Sequence, residues 1–220
     1  MALKALERRS YACEVRAFTN ENGYNIVGRP IVYESRTDLG YFDEIIARGA
    51  LDEADLTDVR FLVNHDLRGI PLARSRRNNG NSTMRLSPDY KGMEIAANID
   101  VENNSQARSL YSATERGDIS GMSFMFSIDA YEWENLESDH PTRRITKIGS
   151  VVEVSAVTIP AYDATSISAR SAEELESAKA ALENARAKFR SAQNNIESLD
   201  SDNSNELELE KAKFNFNLKY

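Results

Sequence analysis

Alternation of apolar and polar positions with a period of two runs through most of residues 1–170 and predicts strands. Tyr11 to Ala17 alternates, Tyr24 to Tyr33 does so around a Gly28-Arg29-Pro30 break, and Val59 to His65 alternates again. Met84 to Leu86 and Gly92 to Ile99 read as a strand pair joined by a turn at Ser87-Pro88-Asp89-Tyr90. Between Asn104 and Arg116 the period becomes helical, with Ala107, Leu110, Tyr111 and Thr114 on one stripe and Gly117 placed to stop the helix. Strands return at Met122 to Trp133 and Ile148 to Ile159, with Asp139-His140-Pro141-Thr142 as loop chemistry between them. The pattern predicts a mainly β (α+β) domain with short helices.

After Pro160-Ala161-Tyr162-Asp163 the character changes. Ser171 with Glu174 forms a capping box, and Leu175, Ala178, Leu182, Ala185, Phe189, Ala192, Ile196 and Leu199 then recur at three-four spacing. That is a heptad seam; the alternative is an amphipathic helix packed on its own domain. Asp200 to Glu210 is acidic and poor in apolar residues, which predicts a flexible link. Phe214, Phe216, Leu218 and Tyr220 alternate with polar residues and suit an added strand, a docked segment or a disordered end. The chain therefore divides into 1–170, a helix over 171–199, and a link and tail over 200–220.

Composition narrows the function classes. A length of 220 residues allows one good-sized domain with an appendage. The formal net charge of -8 argues against a general nucleic-acid binder. Arg74, Arg76 and Arg77 form the dense basic cluster, read as a solvated loop. With Cys13 as the single cysteine and two histidines in unrelated contexts, neither an internal disulfide nor a structural zinc site is expected. No metal, cofactor or membrane partner is predicted, and the chain reads as a soluble protein of a reducing compartment.

The candidate chemistry lies in three places. In Gly121-Met122-Ser123-Phe124-Met125-Phe126, alternation sends Met122, Phe124 and Phe126 to one strand face and Ser123 and Met125 to the other. A small hydroxyl on a rigid strand beside a glycine suits a nucleophile. His65 ends the Val59-Phe61-Val63 face where the strand gives way to Asp66-Leu67-Arg68-Gly69, so its ring can be held and still be reached. Glu153, in Val151-Val152-Glu153-Val154-Ser155, is a carboxylate in an apolar strand that needs a partner, and a histidine N–H is one. The alternatives are a serine on a half-wet face, a strand-end histidine, and a glutamate paired with arginine or facing water. Asp118 rivals Glu153 as the group that orients the histidine, and His140 is read as a solvated loop residue.

These residues also carry a resemblance. The chain from Arg8 to Arg170 is similar to the tailed-bacteriophage prohead (procapsid maturation) proteases. The likeness rests on Val27-Gly28-Arg29-Pro30-Ile31-Val32-Tyr33, Phe42-Asp43-Glu44-Ile45-Ile46-Ala47-Arg48-Gly49-Ala50, Val63-Asn64-His65-Asp66, Glu115 to Phe124, and Glu153 to Tyr162. It implies an assemblin-like β-barrel wrapped by helices and a serine endopeptidase with His65, Ser123 and Glu153 as base, nucleophile and orienter. Met125 departs from the family, which more often shows glycine there. The implied substrate is the scaffolding segment of the major capsid protein, or a separate scaffold, cleaved inside the prohead during assembly in the host cytoplasm. Self-cleavage near 200–210 and self-association through the 171–199 helix are further expectations. A noncatalytic scaffold working through that helix, or a small-molecule esterase, are the competing readings.

Overall fold

The computed structural model describes residues 6–160 and 172–200. Two sheets enclose one main apolar core, and two helices lie outside them. The larger sheet holds seven strands: β1 (Leu6–Ala12), β4 (Arg36–Asp38), β5 (Asp43–Ile46), β6 (Val59–Val63), β7 (Ala73–Ser75), β10 (Gly121–Glu134) and β11 (Thr142–Val157). The smaller holds β2 (Arg16–Asn20), β3 (Gly23–Val32), β8 (Met84–Asp89) and β9 (Gly92–Ile99), in the order β2-β3-β9-β8. Both sheets are open, which corrects the expected closed barrel. The helices are α1 (Ser105–Glu115) and α2 (Ala172–Asp200), and among the described residues no helix is long and apolar enough to cross a membrane.

β11 organises the larger sheet. One edge pairs antiparallel with β10 along nearly its whole length. Its other edge takes two separate parallel partners, β5 at Thr142–Ile145 and β6 at Glu153–Ala156. β1 lies antiparallel on the far side of β10, with Ser10 opposite Ser123. The expected inward stripe Met122, Phe124 and Phe126 is fully buried among Phe61, Ile26, Ile31, Met84, Met93 and Ile95. The sheets approach closely at Gly28, where an added Cβ would lie 2.4 Å from Met122 Sδ and would force that side chain to move.

Several strand limits depart from the alternation for identifiable reasons. The predicted Tyr11–Ala17 strand is broken between β1 and β2 as the chain leaves one sheet for the other. The Gly28-Arg29-Pro30 break is a bulge inside a continuous β3, since its proline has no N–H for the ladder. Arg74 stands on β7 and makes two bonds to Asp58, so it belongs to the sheet and not to a solvated loop. The helix prediction needs no change: Asn104 caps α1, and Ala107, Leu110, Tyr111 and Thr114 are its buried residues.

The seam on α2 has a partner within its own chain. Ala178, Leu182 and Ala185 are buried, with Phe189 beside them, against Leu39 and Phe42 of the β4–β5 hairpin and Trp133 and Leu136 at the tip of the β10–β11 hairpin. Arg186 adds bonds to the Leu136 and Ser138 carbonyls. Over these residues the three-four spacing places the apolar stripe against the chain's own hairpins. Asp200, the first residue of the predicted link, closes α2, and the rest of that link and the tail lie outside the described residues.

Candidate active site

The site begins where β6 ends. Asn64 and His65 both adopt left-handed backbone angles, φ 50° and 59°, a region that side-chain-bearing residues seldom enter in succession. Four bonds hold them there. The Asn64 N–H donates to the Ala156 carbonyl (3.0 Å), and Asn64 Oδ1 accepts from the N–H and the hydroxyl of Thr158 (3.0 and 3.2 Å). The His65 N–H donates to Ser155 Oγ (3.1 Å). This tight reversal turns the imidazole back over β11, and the side chain keeps 13% of its surface exposed.

There His65 Nδ1 meets Glu153 Oε1 at 2.5 Å. A carboxylate can only accept, so Nδ1 donates, and in the neutral imidazole Nε2 is then left with its lone pair. Glu153 is fully buried, and its second oxygen accepts from Ser155 Oγ at 2.6 Å. The partner that the apolar strand context demanded is therefore the histidine. Asp118 instead pairs with Arg116 on an exposed loop.

Ser123 lies one strand away. Leu62 on β6, Ser155 on β11, Ser123 on β10 and Ser10 on β1 form one rung across the sheet and project to the same face. That face is not half-wet: Ser123 is fully buried, and Met125 nearly so. The hydroxyl donates to the Arg9 carbonyl on β1 at 2.8 Å rather than to the imidazole. The structure thus joins His65 to Glu153 directly and brings Ser123 to the neighbouring strand with its proton engaged elsewhere.

β1, whose Arg9 carbonyl accepts the Ser123 hydroxyl, is itself pinned by buried charge. The Arg9 guanidinium contacts both Glu44 oxygens and Glu7, while Arg143 reaches Glu44 Oε2 from Nε (2.9 Å) and Glu7 Oε2 from Nη2 (2.8 Å). Burial opposes the charge on Glu44, but Arg9 and Arg143 outweigh it and hold the carboxyl down at about 2. Burial likewise opposes the charge on Arg9, and Glu44 and Glu7 reverse that, raising its pKa above the ordinary guanidinium value. Neither Arg9 nor Ser155 was singled out in the sequence. Ser155 had a signal, its spacing of two from Glu153, whereas Arg9 had none.

The remaining titratable candidates stand apart. Burial pushes the Cys13 thiol up, away from the reactive thiolate. His140 is not free in its loop; its Nε2 lies 3.2 Å from Asp43 and 3.6 Å from Asp38. These three side chains could together reach a metal, but Arg36 already sits 2.5 Å from Asp43 Oδ2. The group lies by the start of β11, about 35 Å along that strand from Glu153 at about 3.3 Å per residue.

A family profile described as caudovirus prohead serine protease matches residues 11–180, more than half of the chain, a span that includes His65, Ser123, Glu153 and Ser155. The chain belongs to that family. No curated protein matches this prohead protease sequence. A solved structure, the bacteriophage T4 capsid assembly protease gp21, is similar to it at 12% identity, over 69% of this chain and 96% of that one, with a TM-score of 0.39. A likeness of that size adds nothing to the assignment of this prohead protease's residues.

Proposed function

We propose that this prohead protease is a serine endopeptidase in which Ser123 is the nucleophile, His65 the general base and Glu153 the group that orients the histidine. The observation that carries the reading is the His65 Nδ1–Glu153 Oε1 contact of 2.5 Å on the strand next to Ser123. With Nδ1 committed to the carboxylate, Nε2 takes the serine proton as Oγ attacks the scissile carbonyl, then returns it to the leaving amine. Glu153 stabilises the imidazolium formed between those steps and fixes its tautomer. Before attack, the Ser123 hydroxyl exchanges its bond with the Arg9 carbonyl for one with Nε2, so the described arrangement corresponds to a resting form.

The family supplies the biological frame. The proposed substrate is the scaffolding segment of the major capsid protein, or a separate scaffold, cleaved inside the prohead during virion assembly, with self-cleavage of the 200–210 link as a companion event. Self-association through 171–199 would compete with the burial of Ala178, Leu182 and Ala185 on the chain's own sheet. The second reading, an inactive assembly protein, draws on the complete burial of Ser123 and its bond to Arg9. Intact-mass analysis of wild type and Ser123→Ala, each alone and co-expressed with the capsid protein, separates the two. Discrete truncation present in wild type and absent in the variant supports the protease; full-length masses throughout support the assembly protein.

A further inference from the structure

Glu153 has two buried oxygens, and a fully buried carboxylate that loses a partner is costly. His65 supplies one partner. The other is Ser155 Oγ at 2.6 Å, and the same oxygen accepts the His65 backbone N–H at 3.1 Å. The three contacts close a ring: imidazole to carboxylate, carboxylate to hydroxyl, hydroxyl to the histidine's own main chain. One hydroxyl therefore fixes both the rotation of the carboxylate and the left-handed backbone at His65, φ 59°, which an isolated chain would abandon.

We propose that Ser155 is a positioning residue for the His65–Glu153 pair. The proposal rests on the endopeptidase reading and extends it. Chemistry selects serine at this position. Alanine leaves the fully buried Glu153 Oε2 and the part-buried His65 N–H without their partner, and threonine adds a methyl group where no surface is free. Although Ser155 stands directly opposite Ser123 across β10 and β11, its hydroxyl proton is committed to Glu153, which makes it a support rather than a second nucleophile.

The test uses the full-length chain and a fluorophosphonate probe that reacts with an activated serine, so no natural substrate is needed. Labelling in wild type that Ser123→Ala abolishes is the expected baseline; no labelling in wild type, or labelling that survives Ser123→Ala, overturns the parent reading and this one with it. Ser155→Ala is expected to slow labelling about 10- to 100-fold, the loss of one hydrogen bond to a charged group. Because one of the two Ser155 bonds runs to Glu153, adding Ser155→Ala to Glu153→Gln should slow labelling by clearly less than Ser155→Ala does alone, on the order of threefold. The low-field proton signal of His65 Nδ1, identified by its disappearance in His65→Ala, should broaden or move in Ser155→Ala. Ser155→Cys keeps the shape and a weak donor, and should label at an intermediate rate even where the alanine variant folds poorly. A wild-type rate in either Ser155 variant, fully additive losses in the double variant, or an unchanged imidazole signal overturns the proposal while leaving the endopeptidase reading intact.

Discussion

Glu44→Gln tests the charge quartet that pins β1. The substitution keeps the shape but leaves Arg9 and Arg143, both nearly inaccessible, with Glu7 as their remaining anion, and Glu7 is 24% exposed. The new amide NH₂ also points a donor at guanidinium donors. Removing one member of a buried pair typically costs about 3–5 kcal/mol. A second route gives a similar size: a carboxyl held at about 2 instead of 4.5 corresponds to about 3 kcal/mol at neutral pH. The sign follows from the depressed folded-state value. The contribution is fully present above about pH 4.5, fades as pH falls, and is gone below about 2. Urea denaturation followed by circular dichroism, from pH 7 down toward pH 2.5, should show wild type ahead by about 3–5 kcal/mol at neutral pH and the gap closing in acid. A gap under about 1 kcal/mol at pH 7, or one that stays constant into acid, would refute the reasoning.

Three other outcomes are expected. Glu153→Gln should lower peptide hydrolysis by a factor on the order of 10⁴, expressed in kcat, and adding His65→Ala should lower it by a further factor of about 100; full activity in Glu153→Gln would remove Glu153 from its role. Leu182→Ala should cost the α2 contact about 2–5 kcal/mol, read as lost hydrogen-exchange protection over residues 176–193 with the sheets unaffected, and global unfolding instead would show that the sheets depend on the helix. Gly121→Ala would place a Cβ 2.2 Å from Pro160 Cβ and 2.7 Å from the Tyr11 carbonyl, so β10 must shift two residues before Ser123. Activity should fall in this variant by more than its melting temperature suggests, and unchanged kinetics would separate that strand end from the site.

Much of the fold was legible where local chemistry alone decides it. The α1 stripe and the Met122-Phe124-Phe126 face depend on residues close in sequence, and each stands where the periodicity puts it. The contact between His65 and Glu153 could be anticipated because a carboxylate in an apolar strand demands a partner. What could not be read was long-range pairing. Arg9 meets Glu44 and Arg143 only because β1, β5 and β11 share a sheet, and nothing in Leu6–Ala12 announces that. The α2 seam was ambiguous for a physical reason: Ala178, Leu182 and Ala185 present the same stripe to a sibling helix as to a hairpin surface. The barrel expectation came from resemblance, and whether sheet edges meet is not encoded in any strand's alternation.

The order of strands in the larger sheet bears on when this protein can act. His65 and Glu153 are 88 positions apart, and the strand carrying the carboxylate is the last of the sheet to be synthesised. Contacts of such separation form slowly and after local ones. A ribosome-bound chain that has reached Ser123 already holds the proposed nucleophile and histidine, yet lacks the carboxylate proposed to set the tautomer and the Ser155 hydroxyl that accepts the His65 N–H. In the proposed triad the site is therefore complete only once β11 lies between β10 and β6, and until then a half-made molecule would be a far slower protease than the finished one.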